Sequence, residues 1–162
     1  MVAVRGEHEV EVDYENACSW TEATRGDERT PRLLSSVDAL ANLDCILSHD
    51  LPANALRVGD HLRGRLQANC DELGVVAEIR GKGLMIGVEP VSPGTLNSNP
   101  QAAQFVLEAT RRGGVLIRKG GLYNSVLRMA PPMSVTMEEA DTAIDVLTKA
   151  LHDADRTFQR QA

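Results

Sequence analysis

Arg128 lies inside an apolar run, Val126-Leu127-Arg128-Met129-Ala130. There a guanidinium is costly unless it is paired or faces a cavity. Its planar five-donor fork fits a carboxylate through two parallel hydrogen bonds, so the position can serve as an anion grip. An arginine on the solvent face of a strand fits the same pattern, and composition does not choose between the two. Lys82, Lys119 and Lys149 are the only lysines. All three read as surface residues. Arg80-Gly81-Lys82-Gly83 is glycine-rich but lacks the glycine spacing and the following helix of a phosphate-cradling loop, and reads as a hairpin turn. His49, His61 and His152 fall at helix ends or on polar faces, without cysteine or carboxylate at ligand spacing.

The elements that position these residues follow from periodicity. Val37, Leu40, Leu43 and Leu47 predict a helix from Ser35, which has capping-box spacing to Asp38, to about Ser48. Leu51, Ala55, Val58, Leu62 and Leu66 predict a second helix over 51–73, stopped by a left-handed Gly74. Val75–Arg80 and Leu84–Glu89 predict a β-hairpin turning at Gly81-Lys82-Gly83. Asn99 and Pro100 start a helix that ends at Gly113-Gly114. Strands at Val115–Arg118 and Ser125–Met129 follow, joined across Gly120-Gly121-Leu122-Tyr123-Asn124, and Pro131-Pro132 ends the second. Thr136 with Glu139 forms a capping box for a last helix whose core face is Met137, Ala140, Ile144, Leu147 and Leu151. The expected fold class is α+β, a small, mostly antiparallel sheet covered on one side by helices.

Composition narrows the function classes. The net charge is −6, and residues 1–31 hold eight acids against three arginines, so the rest of the 162-residue chain is nearly neutral. A body without a basic cluster, and with 3% aromatic residues, excludes nucleic acid as the expected partner. Three cysteines without C-x-x-C spacing fit reduced thiols in the cytoplasm. No apolar run reaches membrane-spanning length, so no membrane partner is expected. Residues 1–34 read as an acidic, disordered or unrelated segment, with a short strand at His8 to Tyr14, a tail at Thr24–Arg32 read as loop or disorder, and an Arg-Gly-Asp triplet at 25–27 taken as chance rather than as an adhesion motif. The expected domain runs over 35–157, with a tail at 158–162.

Taken in order, Glu78-Ile-Arg-Gly-Lys-Gly-Leu-Met-Ile-Gly-Val88, then Gly114-Val-Leu-Ile-Arg118, then Val126-Leu-Arg-Met-Ala-Pro-Pro132 closely resemble the C-terminal small domain of class III pyridoxal-phosphate-dependent aminotransferases. The likeness runs from about Ser36 to Asp155 and is best to the branch containing 4-aminobutyrate and alanine–glyoxylate aminotransferases. It implies the small-domain fold of that family, transfer of an amino group from an amino acid to a 2-oxo acid or aldehyde, and a carboxylate-gripping role for Arg128. It also implies that the cofactor lysine and most contacts to pyridoxal phosphate lie in a large domain upstream, so that this chain alone holds no cofactor. The resemblance further implies that the face carrying Arg128 and the Leu51–Leu66 helix, which packs on the large domain in the family, is left as an apolar patch for self-association or for an intact aminotransferase subunit. Residues 1–34 depart from the family, where a threonine-rich Gly-Asn-Pro segment is expected; Thr30-Pro31-Arg32-Leu33-Leu34 stands there instead. The expectation is therefore a truncated or frame-disrupted gene product, with a non-catalytic binding or regulatory module, or a remnant, as the alternative.

Overall fold

The computed structural model describes residues 30–160, with side chains from residue 38 onward. The acidic stretch with its expected strand and its Arg-Gly-Asp triplet, and Cys18, lie outside the described residues. The described residues fall into two units, 30–50 and 51–160.

In the first unit helix α1 spans Thr30–Ser48. It begins before Ser35, so the Ser35/Asp38 spacing is not a helix start, and Thr30-Pro31-Arg32 is helical rather than loop. The overlooked signal is Pro31, because a proline in the first turn gives up no intrahelical hydrogen bond. The helix closes where His49 donates its backbone N–H to the Cys45 carbonyl at 3.2 Å and its Nδ1–H to the same oxygen at 3.0 Å. Leu40, Leu43 and Leu47, one apolar stripe, are exposed.

The second unit runs α2 (Leu51–Cys70), β1 (Val76–Lys82), β2 (Met85–Pro90), α3 (Pro100–Arg112), β3 (Arg118–Gly120), β4 (Val126–Met129) and α4 (Met137–Gln159). The strands form one antiparallel sheet in the order β1-β2-β4-β3. The chain leaves β2, crosses through α3, and returns two places away, so that β4 fills the gap; this is a split βαβ arrangement. Sheet alternation sends Ile86, Val88, Leu127 and Met129 inward against Val58, Leu62 and Leu66 of α2, Val106 of α3 and Leu147 and Leu151 of α4, all buried. The result is the expected α+β class, and among the described residues no helix covers the other face of the sheet.

Local chemistry sets most element ends. Asn99 Oδ1 accepts from the Ala102 N–H at 2.9 Å, satisfying one of the orphan donors at the start of α3. Thr136 and Glu139 cap α4 reciprocally. The buried Asp155 of α4 accepts from the Val75 N–H at 2.9 Å and so fixes where the chain enters β1.

Several boundaries differ from expectation. Strand β1 runs on to Lys82, since Gly81 and Lys82 pair with Ile86 and Met85, so the hairpin turns at Gly83-Leu84 rather than at Gly81-Lys82-Gly83. Helix α2 ends at Cys70, and Gly74 does not adopt a positive φ; a turn closed by the Leu73 N–H on the Cys70 carbonyl makes the stop. The third strand is Arg118–Gly120 rather than Val115–Arg118, because Val115 and Ile117 are buried as irregular chain while ladder pairing to β4 begins only at Arg118. Helix α4 continues to Gln159, two residues into the stretch read as a tail, and Phe158 meets Phe105 edge-on with ring centroids 6.2 Å apart.

Candidate functional site

Register places Arg80, Gly87, Arg128 and Arg118 in one row across the four strands, on the open face of the sheet. Gly87, lacking a side chain, leaves a hollow between Arg80 and Arg128. That hollow is a concavity of about 440 Å³ lined by Arg80, Met85, Gly87, Val126 and Arg128, with Gly121 and Ala130 at its edge. Gly121 brings the Gly120–Asn124 connection to the rim, where Leu122 and Tyr123 are exposed.

Helix α2 holds this surface in place. Gly59 lies so close to the hairpin turn that a β-carbon there would fall 2.6 Å from the Gly83 Cα and nearer still to its carbonyl. Gly83 takes φ of +53°, which glycine adopts without steric cost. Arg63 donates to the Gly81 carbonyl at 3.0 Å, and Asn54 donates to the Met133 and Val135 carbonyls at 2.8 and 3.0 Å, tying down the segment after β4.

The two arginines facing the hollow differ in their surroundings. Arg80 donates to Glu89 at 2.7 Å and to Glu78, and these two carboxylates, Glu89 foremost, push its guanidinium further toward the charged form. Arg128 is exposed, lines the hollow and has no ion-pair partner among the described residues. A free fork beside a neutralised one, over an apolar floor, is equipped to take an anionic group of a small molecule.

Pyridoxal phosphate is carried on a lysine. None of the three lysines lines the hollow: Lys82 is exposed at the hairpin end, Lys119 pairs in register with inward-facing Leu127, and Lys149 lines a separate hollow with Arg112 and Val146.

Two further constellations were missed in the sequence, one of them made only by tertiary structure. His61 donates to Asp141 at 2.6 Å from 80 residues away, and Arg65 bridges Asp141 and Asp145 at 2.7 and 2.9 Å, clamping α2 to α4. Hydrogen bonds from His61 and then Arg65 hold the Asp141 carboxyl below its ordinary range. On α1, Cys45 Sγ lies 3.8 Å from His49 Nδ1; the i, i+4 spacing was the available signal. Among the described residues no group of His, Cys, Asp and Glu could hold a metal, and no helix is long and apolar enough to cross a membrane.

Comparison with known proteins agrees with this geometry. The family profile described as aminotransferase class-III matches residues 33–151. The alanine/serine racemase of Pyrococcus horikoshii is 32% identical over 118 residues, covering 73% of this chain and 25% of the racemase. Alanine–glyoxylate aminotransferase 2 homolog 2 of Arabidopsis thaliana is 33% identical over 115 residues, covering 70% and 24% of the two chains. A phospholyase from Arthrobacter, solved in complex with phosphoethanolamine, superposes with a TM-score of 0.67 at 34% identity, covering 70% of this chain and 27% of that one. The chain spans about a quarter of the length of the curated relatives it matches. The matched family is pyridoxal-phosphate-dependent. Sheet order, the hairpin pinned by α2, the arginine over the hollow and the matched residues all converge: this chain belongs to the class III aminotransferase family.

Proposed function

We propose that these residues are the C-terminal small domain of a transaminase that moves an amino group from an amino acid to a 2-oxo acid or aldehyde, of the kind of the 4-aminobutyrate and alanine–glyoxylate enzymes. The observation that supports this most is Arg128, without a partner among the described residues and facing a concavity on the sheet's open face. In this reading Arg128 holds the substrate's carboxylate, while pyridoxal phosphate and its lysine are supplied by residues outside this sequence. The small domain is the part from about residue 35 to 157, and the acidic segment 1–34 takes no part in it. The same grip would serve a racemase or a lyase. Joined to the cofactor-bearing part of a class III relative, the chain should turn over an amino acid only when a 2-oxo acid or aldehyde acceptor is present; turnover without an acceptor would overturn amino transfer. Incubated alone with pyridoxal phosphate and then borohydride, it should show no adduct on Lys82, Lys119 or Lys149, and such an adduct would contradict the division of labour.

A second reading is favoured by one observation. The uncovered stripe Leu40, Leu43 and Leu47 on α1 suits association with another copy or with an intact aminotransferase subunit, as a non-catalytic module would use. A monodisperse monomer at high concentration that also ignores such a subunit would remove it.

A further inference from the structure

We infer that Gly87 is a specificity-determining residue: its missing side chain leaves room beside Arg128 for a compact, uncharged, apolar part of the molecule whose carboxylate Arg128 takes. This rests on the reading of Arg128 proposed above. Three glycines line the hollow, Gly81, Gly87 and Gly121. Two of them are demanded by the fold. A β-carbon on Gly81 would run into the Met85 carbonyl, and one on Gly121 would fall 2.9 Å from Val126 Cγ2 at a φ of +83°. Gly87 is under no such demand. Its φ lies outside the left-handed region, and a β-carbon there would meet Val126 Cγ1 at 3.5 Å and Arg80 Cγ at 3.9 Å, both ordinary contact distances.

A glycine inside a strand weakens it, and its usual reasons are a bulge, a tight bend or the close approach of another group. At Gly87 the ladders run unbroken on both sides. It pairs with Arg80 of β1 and with Arg128 of β4, and the one irregularity of the β1–β2 pairing lies at Val76/Glu78. Close approach is the reason left, and among the described residues nothing would come nearer than 3.5 Å. The stem of Arg128 does not fill the space, since it leans toward β3, where a β-carbon on Gly120 would meet its Cδ at 3.5 Å. The space over Gly87 is bounded by Met85, Val126 and the stem of Arg80, and the charge of Arg80 is already matched by Glu78 and Glu89. A group settling there meets hydrocarbon and no free charge, and its width is set by how little residue 87 projects.

The test is a titration of the 162-residue chain at constant ionic strength with acetate and, separately, 4-methylpentanoate, followed through the Arg128 Nε–Hε and Gly87 amide resonances. Both acids should shift Arg128. The longer one alone should shift Gly87 and should bind about tenfold more tightly, the worth of burying about two methylene groups. Gly87→Val should bring 4-methylpentanoate down to the level of acetate while acetate binds as before, and Gly87→Ala should remove part of the difference. Both variants should unfold in urea at or above the midpoint of the unsubstituted chain, since a side chain here adds strand propensity and makes only ordinary contacts. Equal binding of the two acids, a preference that survives Gly87→Val, or acetate weakened by Gly87→Val as much as the longer acid would overturn the selector while leaving Arg128's role standing. An earlier urea transition for Gly87→Ala would do the same, by making Gly87 a packing residue. Acetate that leaves the Arg128 resonance unmoved would overturn that role, and the selector with it.

Discussion

Replacing Gly59 by alanine isolates the contact that holds the β1–β2 hairpin beneath the site. By helix propensity alone the change should stabilise α2 by about 1 kcal/mol, since glycine is the poorest interior residue after proline. Packing opposes it. The new β-carbon would lie 2.6 Å from the Gly83 Cα and closer to its carbonyl, and because the obstacle is backbone, no rotamer change relieves the overlap. Helix and hairpin must move apart, loosening Val58 and Leu62 against Leu84, all buried. Overpacking of this kind costs about 1–3 kcal/mol and sometimes more, and with no flexible side chain to yield, a net loss of about 2 kcal/mol is expected. The same helix contains its control: around a β-carbon at Gly64 there is nothing within 4 Å, so Gly64→Ala should gain about 0.5–1 kcal/mol. Urea unfolding of the two variants should therefore move the midpoint in opposite directions. If Gly59→Ala proved as stable as Gly64→Ala, the close approach of α2 to the hairpin would be refuted.

Burial pushes the Cys70 thiol up to about 11, so at pH 8 it should resist a thiol reagent until urea unfolds the chain, while exposed Cys45 reacts at once in a Cys18→Ser background; rapid modification of both would contradict the packing of α2. The carboxyl of Asp141 is held low by His61 and Arg65, so its contribution to stability is complete above the unfolded aspartate value of about 3.9 and is lost as pH falls through the lower folded value. Asp141→Asn should accordingly flatten the acid side of the stability profile, and parallel profiles for the two proteins would show that the clamp contributes nothing.

Features built from neighbouring residues were legible in the sequence. The caps at Asn99 and Thr136 each depend on atoms within a few residues, so residue type and spacing suffice; the hairpin was legible too, but its turn lies at Gly83-Leu84 rather than at Gly81-Lys82-Gly83, because Gly81 and Lys82 pair with Ile86 and Met85. The third strand was misplaced for a definite reason. The apolar pattern at Val115 and Ile117 reports burial, and burial does not require ladder pairing; the partner that makes Arg118–Gly120 a strand is β4, which periodicity does not show. Gly74 misled because glycine permits a left-handed stop without demanding one. At the site, Arg128 stood out as a charge in an apolar strand, whereas Arg118 gave no local signal, since its place beside Arg128 exists only in the register. His61 and Asp141 are joined across helices in the same way.

The central claim is that Arg128 grips the carboxylate of the substrate, and it is tested most directly with the cofactor-bearing part of a class III relative joined to this chain. The kcat/KM of Arg128→Ala would be compared for an amino acid and for an amine without a carboxylate. Loss of a bidentate charged contact costs about 2–4 kcal/mol, so the account predicts a fall of roughly 30- to 1000-fold for the amino acid, with the amine and the cofactor absorbance unchanged. Equal effects on the two substrates, or none on either, would contradict it.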